Sequence, residues 1–180
     1  MEIEIKAHIR NRPELERRLK KLGARYVGKK LQIDRYYEPY GLSYTKRSGK
    51  ILRVRHDYLS KETRLELHVS SSRFAATEIE VPVADEKTLR TILHGLKMKE
   101  AYAVKKKRRV FRFGTIEIVI DQVKGLGWFV EVEIQGAHTK SNRLRLAQTL
   151  ERLGVARADW CREHYNEMVG EKKGYRYGYF

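Results

Sequence analysis

Charged and aliphatic residues alternate strictly in the segment Glu2–Lys6, which reads Glu-Ile-Glu-Ile-Lys. Because successive side chains of a β-strand point to opposite faces, a strand here has its three charges on one face and its two isoleucines on the other. A single strand of this kind can be an exposed edge with solvated charges. However, the pattern returns in Glu78–Val81 and Glu131–Ile134, and more loosely in Glu117–Asp121. The recurrence favours charged faces that converge on a shared polar interior.

Basic residues alternate in the same way in Arg53–Arg55 and in Lys106–Arg108. An ordinary antiparallel sheet turns its apolar face inward and its polar face to water. Polar faces as rich in acids and bases as these are satisfied better by a closed barrel whose lumen is charged. We therefore predict an α+β fold, an eight-stranded antiparallel β-barrel (a tunnel) with a charged interior and helices packed outside.

The predicted elements fall into two batches of strands, each closed by a helix. The strands are predicted at 1–10, 31–38, 51–57, 63–70, 78–83, 101–113, 115–122 and 128–135. The helices are predicted from the cap Asn11 to Gly23, from Asp85 to about Lys97, from about Ser141 to Leu153, and from Asp159 onward. Their inner stripes are expected to include Leu15, Leu19, Leu89, Ile92, Leu93, Leu96, Leu144, Ala147, Leu150, Trp160, Tyr165 and Met168.

The length of 180 residues predicts a single domain of two similar halves, about 1–98 and 99–170, followed by a basic aromatic tail at 171–180. No apolar run approaches the length of a bilayer span, and the chain enters a charged strand at once, so we expect neither membrane association nor a signal peptide. Cys161 is the single cysteine, which fits a reducing compartment. The predicted location is the cytoplasm.

The formal net charge of +16 makes a polyanion an attractive partner. Two interpretations are open. In one, the charge is spread over the outer surface and binds RNA or DNA. In the other, much of it lines a pocket for a compact anion such as a nucleotide or a polyphosphate.

An ordered series of motifs resembles the CYTH superfamily, also called the triphosphate tunnel metalloenzymes. The signature of that superfamily is Glu-x-Glu-x-Lys near the N-terminus, here Glu2–Lys6. The other matching segments are, in order, Asp34–Tyr37, Leu52–Arg55, Glu78–Val81, Lys106–Arg108 and Asp121–Glu133. The superfamily includes class IV adenylyl cyclases, thiamine triphosphatases and inorganic triphosphatases. The resemblance covers most of the chain and implies an eight-stranded antiparallel tunnel.

A triphosphate inside such a tunnel loses water, which Lys and Arg replace with charge-assisted hydrogen bonds. Arg53 and Arg55 share a strand face, as do Lys106 and Arg108, so each pair can grip a polyphosphate. With Lys6 added, the resemblance makes these five residues the phosphate-binding set.

Carboxylates repel an anionic substrate unless a cation bridges them, and Mg²⁺ or Mn²⁺ accepts carboxylate and phosphate oxygens together. Glu4 and Glu131 are the favoured ligands, and with Lys6 they form the predicted catalytic set. Glu78 and Glu80 are interpreted as ion-pair partners of the basic residues in preference to metal ligands. The full set of candidate metal ligands is Glu2, Glu4, Asp121, Glu131 and Glu133.

His68 departs from the family pattern, because the corresponding segment usually carries a lysine and here reads Leu-Glu-Leu-His-Val-Ser from Leu65 to Ser70. A histidine can still donate a hydrogen bond to a phosphate, more strongly when it is protonated at mildly acidic pH. His68 is therefore included as a candidate phosphate contact, although a histidine on a strand face is as often structural.

Together these features predict a divalent-metal-dependent enzyme that acts on a small-molecule triphosphate. The reaction is either the conversion of ATP to cyclic AMP and pyrophosphate, as in the class IV adenylyl cyclases, or the hydrolysis of a nucleoside, organic or inorganic triphosphate. A non-catalytic RNA- or polyphosphate-binding module is the alternative, but it does not explain three Glu-x-Glu strands. The oligomeric state is left open, with a homodimer one option.

Overall fold

The computed structural model describes residues 2–41, 50–72, 75–137 and 139–174. This part of the chain contains nine β-strands and four α-helices. In chain order they are β1 (Glu2–His8), α1 (Arg12–Leu22), β2 (Arg25–Pro39), β3 (Lys50–Asp57), β4 (Glu62–Ser72), β5 (Ala75–Val83), α2 (Glu86–Gly95), β6 (Met98–Phe113), β7 (Ile116–Val123), β8 (Gly127–Gln135), α3 (Lys140–Arg152), β9 (Trp160–Cys161) and α4 (Tyr165–Lys172). Most of the predicted tail, 175–180, lies outside the described residues.

The strands follow the hydrogen-bonded order β5-β4-β3-β2-β6-β7-β8-β1-β9. The pairs β1–β8, β1–β9, β2–β3, β3–β4, β4–β5, β6–β7 and β7–β8 are all antiparallel. The predicted α+β class with an antiparallel sheet is therefore confirmed. The sheet differs in having nine strands, and within the described residues its order runs from β5 to β9 without closing.

The additional strand is β9, where Trp160 and Cys161 pair with Ala7 and Lys6 of β1. Both residues were predicted to lie in a helix beginning at Asp159, and that prediction was wrong. A short 3₁₀ turn spans Arg157–Asp159, and the last helix begins only at Tyr165. Pairing with β1 satisfies the backbone groups on the outer edge of that strand, which a helix at this point leaves open.

The chain forms two compact units, which we call unit 1 (residues 1–30 and 106–163) and unit 2 (residues 31–105 and 164–180). The similarity of the two halves of the sequence stays a prediction.

The core of unit 1 lies between the apolar strand faces and helices α1 and α3. Ile3, Ile118 and Val132 contribute from the strands, and Leu19 and Leu150 from the helices; all are at most 3% exposed. Burying each of these two leucine side chains contributes about 2–3 kcal/mol to the free energy of unfolding. The isoleucines of β1 thus face this core, so the charges that alternate with them lie on the opposite face.

Helix α1 follows its sequence signals. The Asn11 side chain accepts a hydrogen bond from the Glu14 amide, and Gly23 ends the helix with φ of +82°, a left-handed conformation that glycine adopts without strain. Leu15 and Leu19 are buried as predicted.

No helix within the described ranges is long and apolar enough to span a bilayer.

One hydrophobic cluster of unit 2 is formed by Tyr37, Val54, Leu93 and Met98. Only Leu93 of helix α2 is buried, whereas Ile92 is 53% and Leu96 67% exposed, so these two inner positions were predicted wrongly. Helix α3 in unit 1 also has an inner position that was predicted wrongly.

In helix α3, Leu146 is buried and Leu144 is 55% exposed, so the assignment of Leu144 to the inner face was also wrong. The predicted inner positions Ala147 and Leu150 are confirmed.

Candidate functional site: two charged clusters on strand faces

The first charged cluster lies in unit 1, on the strand face opposite the core. Lys6 of β1 is opposite Glu131 of β8, and Arg108 of β6 is opposite Asp121 of β7. Glu4 precedes Lys6 by two residues and therefore shares its face. We call Glu4, Lys6, Arg108, Asp121 and Glu131 the unit 1 cluster.

Glu131 connects the two cations of this cluster. Its Oε1 lies 3.3 Å from Lys6 Nζ, and its Oε2 accepts a 2.5 Å hydrogen bond from Arg108 Nη2. Arg108 also donates to both carboxylate oxygens of Asp121, at 2.9 Å from Nε and 2.6 Å from Nη2. Lys6 Nζ is 3.7 Å from Glu4 Oε1. Two cations are thus held by three carboxylates from neighbouring strands.

Three members of the cluster are almost completely removed from solvent. Asp121 is 0%, Glu131 4% and Lys6 5% exposed. Taking a charge out of water costs several kcal/mol per ion, which only close and well-oriented partners offset. Buried ion pairs are therefore expensive for folding alone.

Burial and pairing act in opposite directions on the titration of the two central groups. Burial alone raises the pKa of Glu131, but Arg108 and Lys6 outweigh it and hold that pKa at about 2, below its ordinary value of 4.5. Burial alone lowers the pKa of Lys6, but Glu4 and Glu131 outweigh it and raise that pKa. Both groups are consequently charged at neutral pH.

The depressed pKa of Glu131 predicts a loss of stability in acid. Folding favours the ionised form, so its contribution to the free energy of unfolding is complete above the unfolded-state pKa of 4.5 and is lost as the pH falls toward about 2. We expect urea denaturation to show Glu131→Gln as much less stable than the wild type at pH 7, with the difference shrinking at pH 3. An exposed control, Glu151→Gln, should follow the wild type at both values. An unchanged difference between Glu131→Gln and wild type would contradict this account.

Two further candidates of unit 1, Lys106 and Glu133, lie on the same strand face. Lys106 is 5% exposed and contributes to the low pKa of Glu131. Glu133 is opposite Glu4 on one side and Glu117 on the other. Glu2 of β1 is opposite Gln135 of β8, and the side chain of Glu2 lies outside the described part.

No group of three or more His, Cys, Asp or Glu within the described residues is arranged to hold a metal ion. The donor chemistry nonetheless fits a hard divalent cation, because carboxylate oxygens are its preferred ligands. Glu4 and Glu133 are directly opposite, where like charges repel. A cation bound between these two carboxylates relieves that repulsion.

The second charged cluster lies in unit 2, on strands β2, β3 and β4. Arg55 donates to both oxygens of Asp34, at 2.7 and 2.9 Å, and its Nη1 lies 3.5 Å from Glu66 Oε1. Arg53 donates to Glu66 Oε2 and lies 3.4 Å from Glu78 Oε1. We call Asp34, Arg53, Arg55 and Glu66 the unit 2 cluster. The predicted role of Glu78 as an ion-pair partner is confirmed.

The carboxylates of the unit 2 cluster are deeply buried, with Asp34 1% and Glu66 3% exposed. Burial and the adjacent Arg53 act to lower the pKa of Arg55, but Asp34 and Glu66 outweigh them and raise it. Burial, reinforced by Asp34, raises the pKa of Tyr36 to about 12 and keeps its hydroxyl neutral. The cluster therefore keeps fixed charges at neutral pH.

Two residues of this cluster, Asp34 and Glu66, were missed as site residues. Asp34 lies in a segment that matched the family series, and Glu66 alternates with Arg64 and His68 on β4. The alternation predicts the face of Glu66 but not its partner, which depends on β3 lying between β2 and β4.

His68 is opposite Glu78, and its ring centroid lies 6.2 Å from that of His164. Glu80 is the other predicted ion-pair partner, and its Oε1 lies 2.8 Å from Arg64 Nη1. The roles of Lys6, Arg53, Arg55, His68, Lys106 and Arg108 in binding phosphate stay a prediction.

The fold and the two clusters define an α+β protein whose antiparallel strands carry buried, ion-paired charges on one face. Residues 1–163 match the sequence profile of the CYTH domain. The chain belongs to the CYTH domain family.

Known proteins similar to this chain match more than nine tenths of its length. A protein of Methanocaldococcus jannaschii, named "Putative adenylate cyclase", is 30% identical to this chain, and the match covers 94% of this chain and 99% of that protein. The PH1012 protein of Pyrococcus horikoshii has a similar structure, with a TM-score of 0.81 and 25% identity over 92% of this chain and 97% of that one. A Hippeastrum protein, described as a "Putative adenylyl cyclase" with "a dominant" triphosphatase activity, shares the fold, with a TM-score of 0.68 and 15% identity over 97% of this chain and 96% of that one.

Proposed function

We propose that this protein is a divalent-metal-dependent enzyme that acts on a triphosphate. The observation that carries the proposal is the unit 1 cluster, in which Lys6 and Arg108 are buried against Glu131 and lie beside the opposed glutamates Glu4 and Glu133. This combination of cations for phosphate and carboxylates for a metal serves a polyanionic substrate better than it serves stability.

The basic residues are proposed to bind the phosphate oxygens. Asp121 holds the guanidinium of Arg108 through two hydrogen bonds, and Asp34 holds that of Arg55 in the same way. Donors fixed in this manner need no rearrangement when charge develops on a phosphoryl group, which is the condition for strong electrostatic stabilisation. Lys6 and Lys106 supply further positive charge on the strand face of unit 1.

Mg²⁺ or Mn²⁺ is proposed as the cofactor, with Glu4, Glu131 and Glu133 as its principal ligands and Glu2 as a further one. When bound, the ion polarises a phosphoryl group and offsets the charge of the carboxylates. Asp121 was also a candidate ligand, but it is fully buried and both of its oxygens accept hydrogen bonds from one guanidinium, that of Arg108, whereas the oxygens of Glu131 face two different cations. Its proposed role is to position that arginine.

Two reactions suit these residues. Attack of water on the terminal phosphorus of a triphosphate releases orthophosphate and leaves a diphosphate. Attack of the ribose 3′-hydroxyl on the α-phosphorus of ATP closes cyclic AMP and releases pyrophosphate. The names of the similar proteins mention both activities.

The rival proposal is a non-catalytic module that binds RNA or polyphosphate, favoured by the net charge of +16. Such a module predicts metal-independent, strongly salt-dependent binding to long polyanions. It gives no reason for the opposed carboxylates of Glu4 and Glu133 and therefore ranks second. With a single, half-buried cysteine, Cys161, the protein is proposed to work in the reducing cytoplasm.

Product analysis by ion-exchange chromatography tests the enzyme proposal. The protein is incubated with ATP or with tripolyphosphate, in Mg²⁺, in Mn²⁺ or with a chelator. We expect turnover of at least one substrate that the chelator abolishes, because the carboxylates need a cation to accept the anion. Cyclic AMP with pyrophosphate identifies a cyclase, and orthophosphate identifies a triphosphatase. Turnover that persists fully in the chelator contradicts the metal assignment, and absence of turnover of either substrate favours the binding module.

A further inference from the structure

The positive charge of this protein is distributed unevenly. Unit 1 carries 22 Lys and Arg against 11 Asp and Glu, a net charge of +11, whereas unit 2 carries 17 against 12, a net charge of +5. Residues 17–33, at the end of α1 and the start of β2, contain seven Lys and Arg and no Asp or Glu. The excess in unit 1 is therefore concentrated in one short part of the chain.

Most of these cations are on the surface and uncompensated. Arg17 and Arg18 form salt bridges with Glu14. The other five are exposed and form no salt bridge with any carboxylate in the described ranges. We call these five residues the basic surface: Lys20, Lys21, Arg25, Lys29 and Lys30. Like charges this close in sequence repel one another, and a polyanion that covers them removes that cost.

Tyr26 provides an aromatic group within the basic surface. It is 48% exposed, and its ring meets the edge of Phe111 at a centroid distance of 5.4 Å. The guanidinium of Arg109 lies 5.5 Å from the centroid of the Tyr26 ring. A half-exposed ring that is held by its neighbours is a platform on which a nucleic-acid base can stack.

The strand that carries Tyr26 is extended and open on one side. The first residue of β2 that has a partner on β3 is Gln32. In the part of the chain that the structure describes, residues 25–30 therefore have no strand partner on that side. Side chains there are exposed at five of the six positions, with only Gly28 half-buried. Side chains alternate along this segment, so Tyr26 and Lys30 share one face of β2 and Arg25 and Lys29 the other, and a chain that runs along the open edge passes both. Cations beside an exposed aromatic ring are typical of surfaces that bind single strands without sequence preference.

We propose that the basic surface and Tyr26 form a binding site for single-stranded nucleic acid, separate from the unit 1 cluster. The lysines and Arg25 contact phosphates, and Tyr26 stacks on a base. The site does not depend on the proposed enzymatic activity, because none of its residues belongs to either charged cluster.

Fluorescence anisotropy with a labelled 20-nucleotide oligouridine tests the site. We expect the triple variant Lys21→Gln, Lys29→Gln, Lys30→Gln to bind at least about tenfold more weakly, with a log–log salt slope smaller by about two to three. The matched control is Lys87→Gln, Lys172→Gln, Lys173→Gln, which removes the same charge from exposed positions of unit 2. The control should bind within about twofold of the wild type.

A second variant separates nucleic acid from other polyanions. Tyr26→Ser should weaken oligouridine binding about fivefold or more, since stacking on the ring is lost, while binding of heparin stays unchanged. Equal losses in the two triple variants would show that net charge alone is responsible, as for lysines that merely keep an edge strand soluble. No measurable binding by the wild type at 50 mM salt, a Tyr26→Ser variant that binds normally, or a preference for duplex RNA would each overturn the proposal.

Discussion

Glu4→Gln is expected to reduce metal-dependent turnover by about a hundredfold or more while leaving the protein folded. Glu4 is 30% exposed at its side chain and its salt bridge with Lys6 is long, at 3.7 Å, so the amide costs little stability. The amide removes one of the two opposed carboxylates to which we assign the cation. The measurement is the rate of product formation from the better substrate, with Mg²⁺ or Mn²⁺ titrated for each variant.

Glu151→Gln is the control for this experiment, because Glu151 is an exposed acid of α3 whose salt bridge is with Arg157. It should keep the activity of the wild type. In the binding-module alternative, Glu4→Gln leaves polyanion binding intact or improves it. Full turnover by Glu4→Gln would exclude Glu4 as a metal ligand.

Asp121→Ala is expected to lower the free energy of unfolding by about 3–5 kcal/mol. Asp121 is fully buried and accepts two hydrogen bonds from Arg108, which is itself only 14% exposed. Removing the carboxylate leaves a buried guanidinium with only part of its compensation. Urea denaturation monitored by circular dichroism measures the change.

A closely matched control lies on the same two strands. Glu117 of β7 is opposite Arg112 of β6 and pairs with it at 2.8 Å, just as Asp121 is opposite and pairs with Arg108. Arg112 is 45% exposed, so its charge remains hydrated when the partner is lost, and Glu117→Ala should cost at most about 1 kcal/mol. Similar losses for the two variants would show that burial of the unit 1 cluster does not decide its energetics.

The alternation of charged and aliphatic residues predicted much of this structure. It located β1, β7 and β8 and placed Lys6 and Glu131 on charged strand faces, because a two-residue period is intrinsic to a strand. It could not show that Glu131 connects Lys6 to Arg108, since this contact depends on the order β6-β7-β8-β1. Strand order is set by packing over the whole chain and is not visible in any one segment.

The errors arose where local patterns have two readings. Trp160 and Tyr165 were assigned to one helix begun by Asp159, but Trp160 pairs in β9, because an open strand edge outweighs a weak helical preference. On α2, Ile92 was assigned to the core from its spacing, although the apolar stripe of that helix packs only through Leu93 and its partly buried neighbour Leu89. Asp34 and Glu66 were not recognised as site residues because their partners come from a neighbouring strand.

The position of β1 in the sheet also constrains how the protein can be made. Of the described strands, β1 is synthesised first, yet its partners are β8 and β9, the last two of them. During synthesis Ile3 and Ile5 have no strand partners until β8 has been made, since contacts between distant segments form only after a long loop has closed. The ion pair between Lys6 and Glu131 is consequently among the last features to assemble. Truncation after β7 should yield a nascent chain with an unpaired and aggregation-prone first strand.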